Sequence, residues 1–139
     1  MAGKLLLEVV TPEKLLLSQE VDEVTCPGTE GEFGVLPGHC HFLSTLKIGE
    51  LRYLVGGTTN YISVLSGFAD VTPQKVTILA DIAEKAEDID VERAQAAVEK
   101  AQRRLEVGGL PSEVEEAKIS LEKARLRRKI AVRTKSRAH

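Results

Sequence analysis

The spacing of apolar residues changes near Ala86 and divides the chain into two parts of different predicted fold. In the first part, short apolar runs are separated by turn-forming residues. These turn signals are Pro27-Gly28, Pro37-Gly38, Gly56-Gly57, Gly67 and Pro73-Gln74. Short strands at that spacing are typical of an antiparallel sandwich or a flattened barrel. We therefore predict an α+β chain in which a β-sandwich domain over residues 1–86 precedes a helical domain over residues 87–139.

In the second part the apolar residues recur every three or four positions, which is the period of an amphipathic helix. The first helix is predicted to begin with Asp90 as its N-cap and to end at Gly108-Gly109. Ser112 and Glu115 form a capping-box pattern, which predicts the start of a second helix. The apolar seam of the two helices consists of Val91, Ala94, Val98, Ala101, Leu105, Val114, Ala117, Leu121 and Ala124. A connection this short makes the helices antiparallel neighbours, so the prediction is a two-helix hairpin.

The seam of the predicted hairpin is rich in alanine, which fills four of its nine positions. Burial of a methyl group contributes about 0.8 kcal/mol, against ~1.5–3 kcal/mol for a whole Leu or Phe side chain. Each contact across the seam therefore stabilises the hairpin little, and we expect closed and open forms of similar free energy. The alternative is an ordinary two-helix appendage that stays closed.

The charges of the chain are distributed unevenly, although its net charge is only -2. Residues 123–139 contain eight basic side chains and no acidic one, whereas residues 1–122 contain eleven basic and 21 acidic side chains. This asymmetry predicts that the C-terminal end binds an acidic surface. Nucleic acid is a poor candidate, since the basic segment has no aromatic residue for base stacking and the rest of the chain repels phosphate.

The sequence lacks the residue patterns of an independent enzyme. The histidines are His39, His41 and His139, and no nucleophile, base and orienting group can be assigned around them. The glycine-rich segment 28–38 is not a P-loop, since no Gly-Lys-Ser/Thr follows, and its glycines are expected to form tight turns. Cysteine and histidine spacing matches no common metal site, so no metal is expected.

The cellular location is predicted from three absences in the sequence. No apolar stretch approaches the roughly 20 residues that span a bilayer, and the first ten residues do not resemble a signal peptide. Cys26 and Cys40 form neither a CxxC pair nor a disulfide framework, so we expect reduced thiols in a cytoplasmic protein.

Three segments in this order resemble one known family. They are GEFGVLPGH at residues 31–39, ILAD at 78–81 and IDVERA at 89–94. Their order and spacing resemble the epsilon subunit of bacterial F-type ATP synthases, which is called delta in mitochondria. The resemblance covers essentially the whole chain. It implies a non-catalytic central-stalk (rotor) subunit of a proton-translocating ATP synthase, peripheral to the cytoplasmic face of the bacterial cell membrane and without a required cofactor.

For the first domain the resemblance implies a ten-stranded sandwich that binds the gamma subunit and the ring of c subunits. Carried over to this chain, Glu32 contacts the c ring, and His39 and Ser44 lie at the surface that meets gamma and the ring. Membrane association then occurs only through the complex.

For the second domain the resemblance implies a regulator. In the family, the folded hairpin leaves rotation free, and the extended hairpin blocks ATP hydrolysis in the alpha–beta catalytic head. The partner is then the acidic loop of the beta subunit, whose charge is complementary to the basic end of this chain. The residues implied in that contact are Arg125, Arg128, Lys129 and Arg133.

The resemblance also implies a regulatory ATP site, because family members that bind ATP carry an I/L-D-x-x-R-A signature in the folded hairpin. The residues implied are Glu84, Ile89, Asp90, Arg93, Ala94, Lys100, Lys123 and Arg127. Lys100 and Lys123 stand where strong binders have arginine, and lysine lacks the bidentate fork, so we expect weaker ATP binding. Two alternatives remain: a purely structural coupling subunit without a functional nucleotide site, and a free-standing sandwich adaptor for another acidic partner.

Overall fold

The computed structural model describes residues 3–38 and 41–137 of the 139-residue chain. The chain forms two compact units, Met1–Lys85 and Ala86–His139. Neither helix of the described chain carries an apolar stretch long enough to cross a lipid bilayer.

The first unit is built from β-strands. They are β1 (Leu5–Val10), β2 (Leu15–Val21), β3 (Glu23–Gly28), β4 (Gly31–Val35), β5 (Phe42–Leu46), β6 (Gly49–Val55), β7 (Thr58–Val71) and β8 (Lys75–Lys85). The strand order is β2-β1-β8-β7-β5-β3-β4, and β6 pairs with both β3 and β7. Since β5 also pairs with both β3 and β7, the strands close on themselves, as expected for a sandwich or flattened barrel. One pairing, β1 with β8, is parallel, so the expectation of a wholly antiparallel sheet was wrong at that position.

The described residues form eight strands rather than the ten that the family resemblance implies. The difference lies in β7 and β8, which are 14 and 11 residues long. Their register is the same on both sides of Ser66, with Leu65 opposite Ile82 and Gly67 opposite Ala80. Ser66 itself is not paired and has a φ of 60°, so the ladder is interrupted there. The first half of β7 pairs with β6 and the second half with β5. Division of both long strands at this interruption gives ten segments.

The core of the first unit is formed by the inward-facing residues at alternate positions along its strands. Leu5, Leu7 and Val9 of β1 are fully buried, as the alternation in the sequence requires. Cys26 also belongs to this core, and burial raises the pKa of its thiol to about 12. The thiol therefore stays protonated and unreactive at neutral pH.

Tight turns account for some of the glycines between residues 28 and 38. Gly28 lies opposite Gly31, so β3 and β4 form a hairpin with a two-residue loop. A Cβ on Gly28 would lie 2.7 Å from the carbonyl oxygen of Gly31, and Gly31 has a φ of 130°. The prediction of turn geometry is confirmed for Gly28 and Gly31. It is wrong for Gly34, which lies within β4 opposite Thr25.

The second unit begins with a 3-10 turn, Ala86–Asp88, followed by α1 (Val91–Val107) and α2 (Pro111–Arg137). The predicted N-cap is confirmed, because Asp90 Oδ1 accepts a hydrogen bond from the backbone N–H of Arg93 at 3.2 Å. The predicted capping box of α2 is wrong. The helix begins at Pro111, whose fixed φ suits the first helical position, and the N–H of Val114 donates to the carbonyl of Leu110 at 3.0 Å.

The two helices pack through the predicted seam. Val98 and Ala101 of α1 form a buried cluster with Leu121 and Ala124 of α2. Ala94 and Ala117 are buried as well. The apolar contact between the helices is therefore made mainly by small side chains.

Candidate functional site

The IDVERA segment connects the 3-10 turn to α1 and forms the first turn of that helix. Ile89 and Ala94 are buried, with 4% and 0% of their surface exposed. One carboxylate oxygen of Asp90 accepts the capping hydrogen bond from the backbone N–H of Arg93. In this conformation the apolar pair offers little free surface to a base. The exposed side chains of the segment are those of Asp90, Glu92 and Arg93.

Arg93 is the first residue of a cationic row on α1. Arg93, Ala97, Lys100 and Arg104 are spaced by four, three and four residues, so they share one face of the helix. On α2 the residues Glu116, Ser120, Lys123 and Arg127 have the same spacing and also share a face. Arg104 Nη2 lies 3.8 Å from Glu116 Oε2, which places the two rows on the same side of the hairpin.

The register of the antiparallel helices brings the predicted cations together. Arg93 lies eleven residues before Arg104, and Arg127 lies eleven residues after Glu116. Because the helices are antiparallel, Arg93 and Arg127 are therefore at the same level of the hairpin. The hydrogen bond of 2.9 Å from Arg128 Nη1 to Gln95 Oε1 fits this register. By the same count Lys100 is level with Ser120, less than one turn from Lys123.

Four cations therefore lie along one side of the closed hairpin, and we call Arg93, Lys100, Lys123 and Arg127 the cationic face. Among the described residues, the side chains of Arg93, Lys100 and Lys123 form no hydrogen bond or ion pair. Four positive charges in a strip shared by two helices produce a local positive potential. Such a strip suits a polyanion long enough to contact both helices.

Glu84, the remaining residue of the predicted nucleotide site, belongs to the first unit. It lies on β8 opposite Ser63 of β7, whose side chain is fully buried. Its role in nucleotide binding stays a prediction.

Three of the four residues predicted to meet the beta subunit form a row on α2. Arg125, Lys129 and Arg133 are spaced by four residues and share a face, and Arg125 and Lys129 are exposed. Arg128 differs from them, because its guanidinium donates to Gln95 of α1. In the closed hairpin the Arg128 side chain, which the proposed partner would need, is thus held by α1.

The sandwich residue predicted to contact the c ring, Glu32, forms part of an ion-pair network that the sequence did not reveal. Arg52 Nη2 lies 2.7 Å from Glu32 Oε1, and Arg52 Nη1 lies 3.3 Å from Glu50 Oε1. Partial burial alone would lower the pKa of Arg52, but the hydrogen bonds and charges of the two glutamates outweigh it and raise this pKa. Glu32 is exposed and Glu50 is largely buried.

The other two sandwich residues predicted to meet gamma and the ring have different outcomes. Ser44 lies on β5 opposite the buried Ala69, and its hydroxyl donates to the carbonyl oxygen of Thr45 at 3.0 Å. Its contact with a partner stays a prediction. His39 lies outside the described residues.

The sandwich also carries an exposed apolar row that sequence reasoning missed. Leu15, Val10, Leu79 and Phe68 lie opposite one another across β2, β1, β8 and β7. We call these four residues the apolar row; Leu15, Leu79 and Phe68 are each about half exposed. The row borders a groove of about 560 Å³ that Pro12 and Leu46 also line. The sequence does contain an indication of this row, because Leu15 and Leu79 lie in strands with apolar residues at consecutive positions. Such strands have apolar side chains on both faces.

The sequence matches two family profiles that meet between residues 86 and 87. The profile described as "ATP synthase, Delta/Epsilon chain, beta-sandwich domain" matches residues 4–86. The profile described as "ATP synthase, Delta/Epsilon chain, long alpha-helix domain" matches residues 87–131.

Relatives with similar sequences carry the same description. The chain is 52% identical over 134 residues to the ATP synthase epsilon chain of Syntrophobacter fumaroxidans, covering 96% of this chain and 100% of that one. It is 47% identical over 134 residues to the ATP synthase epsilon chain of Citrifermentans bemidjiense, covering 94% and 96%.

Two solved structures with a similar fold come from mitochondrial ATP synthases. A chain in the OSCP/F1/c-ring structure of the Euglena gracilis enzyme has a TM-score of 0.79 and 25% identity, and the match covers 100% of this chain and 84% of that one. A chain in the central stalk/c-ring structure of the Tetrahymena thermophila enzyme has a TM-score of 0.62 at 14% identity, covering 94% and 98%, and is similar in fold.

Proposed function

Because this chain belongs to the delta/epsilon chain family of ATP synthases, and is thus a non-catalytic subunit of the rotary enzyme, we propose that its hairpin makes ATP hydrolysis by that enzyme sensitive to ATP. The epsilon subunit is part of the central stalk, which is peripheral to the membrane. The regulatory part of this function is the proposal.

The observation that carries the proposal is the cationic face of the closed hairpin. Its charges come from both helices, Arg93 and Lys100 from α1 and Lys123 and Arg127 from α2. A triphosphate laid along this face neutralises like charges that otherwise repel one another across the hairpin. Since the face exists only while the helices are together, such a ligand favours the closed form.

The energy available from such a ligand is comparable with that of single contacts of the seam. A ligand that binds only the closed form stabilises it by about 2.7 kcal/mol at a hundredfold excess over its Kd. The buried cluster combines Ala101 and Ala124, at about 0.8 kcal/mol each, with Val98 and Leu121, at ~1.5–3 kcal/mol each. In a hairpin whose closed and open forms are near balance, a nucleotide bound to the cationic face therefore decides which form is populated.

When ATP is scarce, the helices separate and the basic end of α2 is released. Arg128 then loses its acceptor Gln95 and joins Arg125, Lys129 and Arg133 in a basic segment that a partner can reach. These charges suit the acidic loop of the beta subunit in the catalytic head. That contact blocks rotation in the direction of hydrolysis.

We assign the anchoring of the chain to its sandwich. The apolar row and its groove suit burial against the gamma subunit, since exposed apolar patches commonly mark interaction sites. Glu32, on the outward surface of β4, is assigned to a polar contact with the c ring.

The second candidate function is a purely structural coupling subunit whose hairpin never opens. The geometry of the IDVERA turn favours it, because Asp90 already caps α1 and Ile89 and Ala94 are already buried. In that case the IDVERA motif serves the helix start alone.

Calorimetric titration of the purified chain with ATP separates the two candidates. We expect measurable heat at millimolar ATP, a clear loss of affinity in Lys123→Ala, and little change in Arg125→Ala. Arg125 is the matched control, since it is an exposed cation two residues away that lies outside the cationic face. Absence of heat in the wild-type chain, or equal losses in both variants, contradicts the ATP site.

A further inference from the structure

We propose that Arg52 is a positioning residue that holds the Glu32 carboxylate ready for a cationic or hydrogen-bond-donating side chain of the partner ring. The inference rests on the proposed contact between Glu32 and that ring. It adds to that contact a residue on a different strand, which sets the direction of the carboxylate.

The strand order explains how two residues twenty positions apart can meet. Glu32 on β4 lies opposite Pro27 of β3, and Arg52 on β6 lies opposite Thr25 of the same strand. Thr25 and Pro27 point to the same face of β3, so Glu32 and Arg52 also share that face. Two strand spacings of ~4.8 Å separate their backbones, a gap that only long side chains can bridge.

The guanidinium of Arg52 is held in place by the largely buried side chain of Glu50. Its Nη1 lies 3.3 Å from Oε1 of Glu50, whose side chain is only 9% exposed. Its Nη2 lies 2.7 Å from Oε1 of Glu32, whose side chain is 54% exposed. The planar fork therefore joins a buried carboxylate to an exposed one and transmits the fixed position of the first to the second.

The exposed carboxylate keeps binding capacity after this contact. Only Oε1 of Glu32 meets Arg52, and among the described residues Oε2 has no hydrogen-bond partner. The two glutamates and one arginine have a net charge of -1, so the cluster still attracts a cation. A side chain already fixed by folding loses less rotamer freedom when the partner binds.

Arginine is required at this position for a geometric reason. A lysine carries one compact ammonium group and cannot bond Glu50 and Glu32 in the same fixed fork. Arg52→Lys therefore keeps the charge and loses the constraint, whereas Arg52→Gln loses both. Comparison of the two variants therefore shows whether Arg52 acts by positioning the Glu32 carboxylate or only by its charge.

The test measures binding of the assembled catalytic complex, carrying this subunit, to membranes that hold the c ring but lack the head. The variants are Glu32→Gln, Arg52→Gln, Arg52→Lys and the double variant Glu32→Gln/Arg52→Gln. We expect Glu32→Gln to weaken binding and Arg52→Gln to weaken it about three- to tenfold. The affinity of Arg52→Lys should lie between those of the wild-type subunit and Arg52→Gln. In the Glu32→Gln background, Arg52→Gln should have no further effect.

Lys75→Gln is the matched control, because it removes another partly exposed ion pair of the sandwich, with Glu8 at 2.6 Å, away from Glu32. Thermal unfolding of each isolated chain verifies that the fold is kept. Unchanged or tighter binding in Arg52→Gln, while Glu32→Gln weakens it, overturns the inference and leaves the ring contact intact. A loss for Arg52→Gln that persists in the double variant also overturns it, since Arg52 then acts independently of Glu32. If Glu32→Gln has no effect, the ring contact and the inference both fail.

Discussion

Single residues determine the backbone conformation where the pairing of the two long strands is interrupted. Gly67 has a φ of 147°, and a Cβ at this position would lie 2.1 Å from the carbonyl oxygen of Leu79. The preceding residue, Ser66, has a φ of 60°, and its hydroxyl donates to Asp81 Oδ2 at 2.9 Å. In the sequence Gly67 was interpreted as a turn between two strands. It instead lies within β7, where the missing side chain lets the backbone closely approach β8.

We predict that Gly67→Ala destabilises the chain by at least about 2 kcal/mol, because it adds a steric clash to an unfavourable backbone conformation. Gly57→Ala is the matched control, since Gly57 also has a positive φ, 82°, but a Cβ added there would have no atom within 4 Å. It should lose about 1–2 kcal/mol from conformation alone. Urea unfolding of both variants measures the difference, and equal losses would show that the close approach to Leu79 is unimportant.

At the scale of whole elements, local patterns predicted the helices well and the strand pairings poorly. The three-four spacing of apolar residues and the Asp90 cap depend on neighbours within one or two turns, so the sequence contains them directly. The parallel pairing of β1 with β8 joins segments about 70 residues apart, and no local pattern encodes it. The same limit applies to the site. The IDVERA turn was predictable, whereas the Arg52–Glu32 pair depends on β3 lying between β4 and β6.

The alanine-rich seam leads to a prediction about the hairpin. Leu121 is the largest of the four buried side chains in the cluster that joins the helices, and it is 9% exposed. Leu121→Ala should weaken closure by about 2 kcal/mol and shift a balanced hairpin strongly toward the open form. Ile119→Ala, a 39% exposed position two residues earlier on the same helix, is the control and should change closure by less than about 1 kcal/mol. Hydrogen exchange of the amides of α1 and α2 reports the opening. Equal protection in both variants would mean that the seam does not control it.

At the scale of the whole molecule, the two units differ in the kind of interaction that stabilises them. The sandwich has a continuous core of leucine, isoleucine and valine, which suits a rigid anchor. The described contacts of the hairpin include a small apolar cluster, a hydrogen bond between Arg128 and Gln95, and an ion pair of 3.8 Å between Arg104 and Glu116. Exposed or partly exposed pairs of this kind contribute at most about 1 kcal/mol each. A rotor subunit built this way can stay attached while its C-terminal part changes conformation.

The position of a covalent lock along the hairpin tests whether that change inhibits the enzyme. Gln95→Cys/Arg128→Cys places two thiols near the open end of the hairpin, where the helices must separate. Arg104→Cys/Glu116→Cys places two thiols beside the connecting loop, where separation is small in either form. Because long side chains meet at both places, each pair is joined by a short bifunctional thiol reagent rather than by a disulfide.

In the assembled enzyme at low ATP, cross-linking of the first pair should raise ATP hydrolysis relative to the same protein with both thiols blocked by a monofunctional reagent. The gain reaches up to about tenfold if the closed form is otherwise about a tenth populated. Cross-linking of the second pair should change hydrolysis far less. Because each variant serves as its own blocked reference, the loss of Arg128 does not affect the comparison. Equal hydrolysis in the cross-linked and blocked forms of the first variant would leave the hairpin with a structural role only.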